Sequence, residues 1–309
     1  MADIIVIGHK NPDTDSICVA IAYANLKTKV TGEEYKAARA GSVSDETQYV
    51  LDTFGVEAPE LVEDATDKKV VLVDHNEVSQ AVDNIDKSEI LEIIDHHKIG
   101  TIQTAAPIYF RNEPLGCCST IVYKMYKENG VEIKKEIAGL LLSAILSDTL
   151  IFKSPTCTPV DVDAATELAK IAGVDINDHG MAMFKAGSNV SSKTPREVFF
   201  QDFKKFEIGD KVIGVGQVNA MGSDGVKEVK DKIADFIGTV IGEDGIQQTY
   251  LMVTDILDES SDVMCAGEGA DKVLAEAFNV KVDGDSAYLK GVVSRKKQMI
   301  PSLTKAIQG

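Results

Sequence analysis

The chain has 309 residues, 44% of them hydrophobic, with 49 acidic and 32 basic side chains and a net charge of −17. That length favours two domains with ample core, and so negative a charge opposes binding to nucleic acid or an anionic membrane unless cations or a local basic patch reverse the field. The longest nearly unbroken apolar stretch, residues 137–146, is too short to cross a bilayer, and five cysteines without a Cys-x-x-Cys spacing argue against a disulfide framework or a thiolate zinc site. The first residues do not read as a secretory signal, so a reduced, cytoplasmic protein is expected.

The first half alternates strands with helices. Residues 3–7 are an apolar run ending at Gly8, as in a strand buried on both faces of a parallel sheet. Residues 16–30 then carry an apolar stripe at helical spacing, through Ile17, Ala20, Ile21, Ala24 and Leu26. A strand over 35–40, a helix over 45–54, a strong strand over 69–73 and another over 90–94 follow, and beyond Gly116 the pattern is helical over 119–128, 135–147 and 161–172. Strands joined by crossover helices predict an α/β domain with a doubly wound parallel sheet. Residues 187–195 are small, polar and end on Pro195, the texture of a flexible linker. Strands over 212–218, 248–254, 262–266 and 287–294 then mix with helices over 226–241 and 270–278, predicting a smaller C-terminal mixed α/β domain. The expected division is residues 1–187, a hinge over 188–195, and residues 196–309.

The chemistry gathers at strand ends. Gly8-His9-Lys10-Asn11-Pro12-Asp13-Thr14-Asp15-Ser16 follows the first strand and opens the first helix, and ligands of open parallel sheets bind at carboxyl ends of strands. One of these aspartates would suffice to cap the helix; two with a histidine suit a metal. Asp74-His75-Asn76 follows the 69–73 strand and Asp95-His96-His97 the 90–94 strand, so four of five histidines lie at these ends. His179 stands apart and is expected to serve packing or the surface. Asp148 ends an almost wholly apolar helix, where the helix dipole disfavours a carboxylate and a cation would compensate it. His9, Asp13, Asp15, Asp74, His96 and Asp148 are too many ligands for one tetrahedral site and suit two divalent ions that clamp a displacement at phosphorus. Imidazole and carboxylate without thiolate favour Mn2+, Co2+, Fe2+ or Zn2+ over Mg2+ alone. Between Ala287 and Gly309 stand five basic residues and no acidic one, with Ser294-Arg295-Lys296-Lys297-Gln298 directly after a strand. Such a cluster suits bidentate capture of a phosphate, and Lys204 and Lys205 add to it. An active site in a cleft between the domains, closing on a polyanion, is expected.

These motifs together resemble the family II inorganic pyrophosphatases of the DHH phosphoesterase superfamily. The resemblance spans the chain: residues 9–16, 73–76, 95–97, 147–149 and 294–298 carry it. It implies hydrolysis of pyrophosphate to two phosphates, a homodimer formed through the N-terminal domain, and two Mn2+ or Co2+ ions per chain with further Mg2+ on the substrate. It implies His9, Asp13 and Asp74 on one ion, and Asp15, Asp74, His96 and Asp148 on the other. His97, Lys204, Arg295 and Lys296 would bind the phosphates, with Lys205 as the competitor of Lys204. Asp15, Asp74, His97 and Asp148 are the residues expected to act in the chemical step, an attack by hydroxide without a covalent intermediate. The rival reading is a DHH-type phosphodiesterase acting on short oligonucleotides or cyclic dinucleotides; the Gly-Gly-His motif of those relatives is absent from this chain, and so is tryptophan for base stacking.

Overall fold

The computed structural model describes residues 4–309; Asp3, read as the start of the first strand, lies outside the described residues. The chain divides into two compact units, 1–186 and 187–309. The first runs β1 (Ile4–Ile7), α1 (Thr14–Thr31), β2 (Tyr35–Arg39), α2 (Asp45–Phe54), β3 (Glu60–Leu61), β4 (Lys69–Val73), β5 (Glu89–Asp95), β6 (Tyr109–Asn112), α3 (Cys118–Glu128), α4 (Lys135–Thr149), α5 (Pro159–Ala172) and α6 (Ile176–Gly187). Its six strands are all parallel in the order β3-β2-β1-β4-β5-β6. The chain therefore winds outward from β1 on one side, then from β4 on the other, and the switch point falls between β1 and β4.

β1 and the last four residues of β4 are buried, which is why both read as continuous apolar runs. Ile5, Ile7, Val70, Leu72 and Ile93 form one face, closed by Ala65, Ala81, Val82 and Ile85 from the connecting segments. α1 sits deeper than its apolar stripe implied. It packs on β1, β2, α3 and α4, so Thr14 to Ala20 are all buried, as are Ala22, Tyr23 and Ala24. Gly139 lets α4 approach α2, because a Cβ there would meet the Phe54 ring at 2.3 Å.

The second unit runs α7 (Pro195–Phe199), β7 (Phe203–Ile208), β8 (Lys211–Ala220), α8 (Gly222–Ile233), β9 (Gln248–Asp255), β10 (Ser260–Ala266), α9 (Ala270–Phe278), β11 (Ser286–Lys290) and α10 (Ile300–Gln308). Its sheet order is β11-β10-β9-β8-β7, antiparallel except for the β8–β9 pair that α8 crosses over. α8 covers one face through Val226, Val229 and Ile233; α9 and α10 cover the other through Leu274 and Leu303. Three expectations change. The helix read over 226–241 begins at Gly222 and ends at Ile233, with a separate 3-10 turn at Ile237–Val240. The last strand ends at Lys290 rather than Ser294, because Gly291 turns the chain at φ 72. Arg295 to Met299 therefore do not leave a strand; they form a wide helical turn that opens α10, capped by the Ser294 hydroxyl accepting from the Lys297 amide.

The segment 188–195 is tied to the second unit. Val190 is buried in its core, and the Lys232 ammonium donates to the carbonyls of Val190, Ser191 and Lys193. Lys232→Met should cost about 2 kcal/mol, as loss of hydrogen bonds to a charged group does, and proteolysis within 188–194 should accelerate because local opening becomes easier; an unchanged cleavage rate would show that the ammonium does not hold the segment.

Candidate metal centre

The site is built where β1, β4 and β5, three adjacent strands, deliver their carboxyl ends. His9 follows β1 by two residues. Its amide donates to Ser16 Oγ at 3.0 Å, folding residues 8–16 into a tight loop. Only glycine fits at position 8, since a Cβ there would lie 1.9 Å from Ser16 Oγ. Asp13 serves two purposes with its two oxygens: Oδ1 caps α1 by accepting from the Ser16 amide at 2.9 Å, and Oδ2 stands 3.4 Å from His9 Nε2. Capping and ligation are thus not alternatives at this residue.

Asp74 follows β4 and is the centre of the group. Its Oδ2 lies 3.3 Å from His9 Nε2 and its Oδ1 3.3 Å from His96 Nε2. Its backbone holds φ 58, a left-handed conformation costly for most side chains but reachable by Asp and Asn. His96 follows β5, and its Nδ1 pairs with the Leu115 carbonyl at 3.0 Å, which turns Nε2 toward the carboxylates. Asp148 Oδ2 is 3.9 Å from the same Nε2. Asp15 is fully buried at the start of α1 and accepts from the amides of Cys118 and Ser119 and from the Ser119 hydroxyl.

Ligand atoms of three overlapping trios, His9–Asp13–Asp74, Asp15–His96–Asp148 and Asp74–His96–His97, lie within 4.8 Å of one another. His97 reaches Asp95 Oδ1 at 2.9 Å and Asp74 Oδ1 at 3.8 Å with Nδ1. Asp95 is itself fully buried and also accepts from the amides of His96 and His97 and from the Asn76 side chain. His75 stays out of these trios. It is buried, pairs Nδ1 with the Val73 carbonyl at 2.9 Å, and packs edge-on to His9. His179 is a packing residue, set against Tyr49 and Phe54 with Nε2 2.7 Å from Ser143 Oγ. Cys117 and Cys118 are buried at the start of α3.

Crowded charge sets the protonation. Burial, then the neighbouring Asp74 carboxylate, pushes Asp15 up to about 7. Burial with Asp15, Asp13 and Asp74 nearby drives Asp148 well above the usual carboxylate range. Burial works against protonated His9, yet Asp13 and Asp74 raise it to about 10. Burial would raise Asp74 too, but the imidazoles of His9 and His96 hold it well below its ordinary value. Burial, with His9 beside it, lowers His75 to about 4.

The model of the DHH family N-terminal domain matches residues 3–145, and that of the DHHA2 domain matches residues 181–306. The manganese-dependent inorganic pyrophosphatase of Bacillus subtilis is 50% identical over 309 residues, covering 99% of each chain. The chain belongs to the family II inorganic pyrophosphatases. A Methanococcus jannaschii crystal structure assigned to that family superimposes with a TM-score of 0.86 at 40% identity, covering 99% of this chain and 100% of its own. An exopolyphosphatase-related protein of Bacteroides fragilis, 15% identical with a TM-score of 0.51 over 99% and 92% of the two chains, shares the fold.

For a manganese-dependent family the donor set can be tested on the structure itself. His9 Nε2 and Asp74 Oδ1 are buried yet make no hydrogen bond, a costly condition unless another partner satisfies them. Imidazole nitrogens and carboxylate oxygens lie within 4.8 Å of one another in each trio, and that mixture suits Mn2+. The residues fit the ion.

The second unit carries the other expected residues. Arg295 NH1 donates to the carbonyls of Asp202 and Val215, and NH2 to Asp202 Oδ1 at 2.6 Å. Lys204 lies opposite that same Val215 in the β7–β8 register. β7 alternates, so Lys204 shares a face with Phe206 and Ile208, on the core that α10 covers, whereas Lys205 points with Phe203 to the opposite core and lies 3.9 Å from Asp244. Lys296 is exposed on the turn that opens α10. Sequence reasoning missed the supports: Ser16, Glu46, the Leu115 carbonyl and Ser119. Glu46 accepts from Thr14 Oγ1 and Ser147 Oγ, neighbours of ligands in sequence, but nothing local to Glu46 signals it.

Proposed function

We propose that the chain hydrolyses inorganic pyrophosphate to two phosphates, with His9, Asp13 and Asp74 holding one Mn2+ and Asp15, Asp74, His96 and Asp148 a second. The observation that carries this is the gathering of histidine and aspartate ligand atoms at the switch point of the sheet, with His9 Nε2 and Asp74 Oδ1 buried and without a hydrogen bond. When bound, the ions supply Lewis-acid charge for the phosphate oxygens and lower the pKa of a water toward neutrality.

The chain's own residues do the rest. Asp74 spans the two halves of the site because its oxygens face different histidines. Asp15 and Asp148, which meet at the His96 end of the centre, are the carboxylates that take the proton of the attacking water. Asp95 fixes the His97 ring through Nδ1, which leaves contact with a phosphate oxygen to Nε2. Arg295, oriented by Asp202, is joined by Lys296 and Lys204 in balancing the charge of both phosphates. Lys204 is preferred to Lys205 because it shares the Arg295 side of β7. Cobalt in place of manganese, Mg2+ on the substrate, a homodimer through the first unit and a cytoplasmic location complete the reading. No helix among the described residues is long and apolar enough to cross a membrane.

A phosphate-release assay on the full chain with Mn2+ tests it. Turnover of pyrophosphate, against little or none with a dinucleotide, is expected; preference for the dinucleotide would transfer the chain to the phosphodiesterase reading. In the same assay Lys204→Ala should raise KM for pyrophosphate about tenfold or more, the scale of a lost charge-assisted contact, and Lys205→Ala should leave it within about twofold, as for an exposed pair. The reverse ranking would reassign the contact.

A further inference from the structure

Asp161 lies 146 residues after Asp15 and belongs to none of the ligand trios. It is nevertheless fully buried and four donors converge on its carboxylate. Oδ2 accepts from the Gly116 amide at 2.9 Å and from the Thr158 amide and hydroxyl at 2.8 and 2.7 Å; Oδ1 accepts from the Thr120 hydroxyl at 2.6 Å. The Thr158 pair is an ordinary capping box at the start of α5. The Gly116 and Thr120 bonds are not local: they reach 45 and 41 residues back and grip the first turn of α3. That turn is the segment that orients the ligands. The Leu115 carbonyl takes His96 Nδ1, while the Cys118 and Ser119 amides and the Ser119 hydroxyl take both oxygens of Asp15. Gly116 itself is wedged between Asp161 and Thr149, the residue after Asp148. A Cβ at 116 would lie 2.8 Å from Asp161 Oδ2 and 2.9 Å from the Thr149 methyl.

From this geometry we infer that Asp161 is a positioning residue for the Asp15–His96–Asp148 half of the centre, acting through Gly116 and Thr120 on the 115–119 segment. The inference rests on the reading that these ligands hold Mn2+. A buried carboxylate is a suitable anchor, since charge-assisted bonds are shorter and stronger than neutral ones, and groups that orient a ligand without touching the metal typically carry about 10–100-fold in metal affinity.

The two sets of bonds on Asp161 allow a clean separation. Thr120→Val removes the grip on α3 while keeping shape; Thr158→Val removes the side-chain half of the capping box and leaves the grip. The full-length chain is stripped of metal and titrated with Mn2+ alone, free ion being counted by electron paramagnetic resonance, and folding is checked by circular dichroism and Tm. Thr120→Val and Asp161→Asn are expected to weaken one class of Mn2+ sites about tenfold or more. They should raise by a similar factor the Mn2+ needed for half-maximal turnover, and kcat at saturating Mn2+ should stay close to the parent's. Thr158→Val should lower Tm with Mn2+ affinity unchanged. If folded Thr120→Val binds Mn2+ as the parent does, or Thr158→Val weakens it equally, Asp161 is only a structural cap and the inference is overturned. A parent chain that takes up no Mn2+ would instead overturn the metal reading, and this inference with it.

Discussion

Asp74→Asn should lose Mn2+ binding at both halves of the centre together and reduce pyrophosphate hydrolysis by a factor larger than the roughly 10–100-fold typical of a supporting group. Among the described residues, Asp74 is the one whose two oxygens each face a different histidine, His9 and His96. It is buried between those two imidazoles. Asparagine is the informative substitution because the backbone sits at φ 58, where Asn is tolerated and Ala adds strain. A loss in Asp74→Asn therefore reports on the ligand set and not on the turn. In the metal-free protein the same change removes a carboxylate that raises His9, so the His9 proton affinity should fall, a shift that NMR titration of the imidazole resolves. Mn2+ titration and phosphate release are the deciding measurements. Retention of two classes of Mn2+ site would show that Asp74 does not bridge the halves.

How much of this was legible follows from where each signal is stored. β1, β4 and β5 are central strands, so their apolar runs stand out, unbroken in β1 and β4 and interrupted only by Glu92 in β5, and the residues just past their ends are ligand types. β6 is an edge strand with Tyr109 and Phe110 exposed; it buries little, leaves no periodic trace, and was not anticipated. The last strand was read too long because Val292 and Val293 continue its apolar pattern, and only the turn at Gly291 breaks it. The neighbouring lysines 204 and 205 were inseparable by composition, but a strand puts adjacent side chains on opposite faces. Asp161 shows the limit. Its one local pattern, Thr158-x-x-Asp161, is fully explained as a cap, and its bonds to Gly116 and Thr120 join positions that only folding brings together.

Stripping the metal should make the protein pH-sensitive in a direction that ordinary carboxylates do not. Asp15 has a folded pKa near 7 against an ordinary 3.8, so its ionisation opposes folding increasingly from about pH 4 to pH 7. His9, raised to about 10 from 6.5, contributes fully below pH 6.5 and loses that contribution as pH rises toward 10. Both groups bind more protons folded than unfolded, and stability then falls with pH. Asp95, pushed down to about 2 by His97 against the effect of burial, is already fully ionised in either state at these pH values. His75, lowered to about 4, works the other way, but only below pH 6.5. From pH 6.5 to 9 the metal-free chain should therefore lose Tm steadily; a tenfold change in proton affinity at one site is about 1.4 kcal/mol. Ligation requires His9 without its proton and Asp15 ionised, so Mn2+ competes with protons, binds more tightly as pH rises, and stabilises by the usual mass-action term. The gap in Tm between Mn2+-loaded and metal-free protein should widen from pH 6.5 to 9. Scanning calorimetry on both forms decides it: a metal-free Tm that is flat or rising over this range would mean that the buried carboxylates and His9 are not held in the protonation states their surroundings dictate.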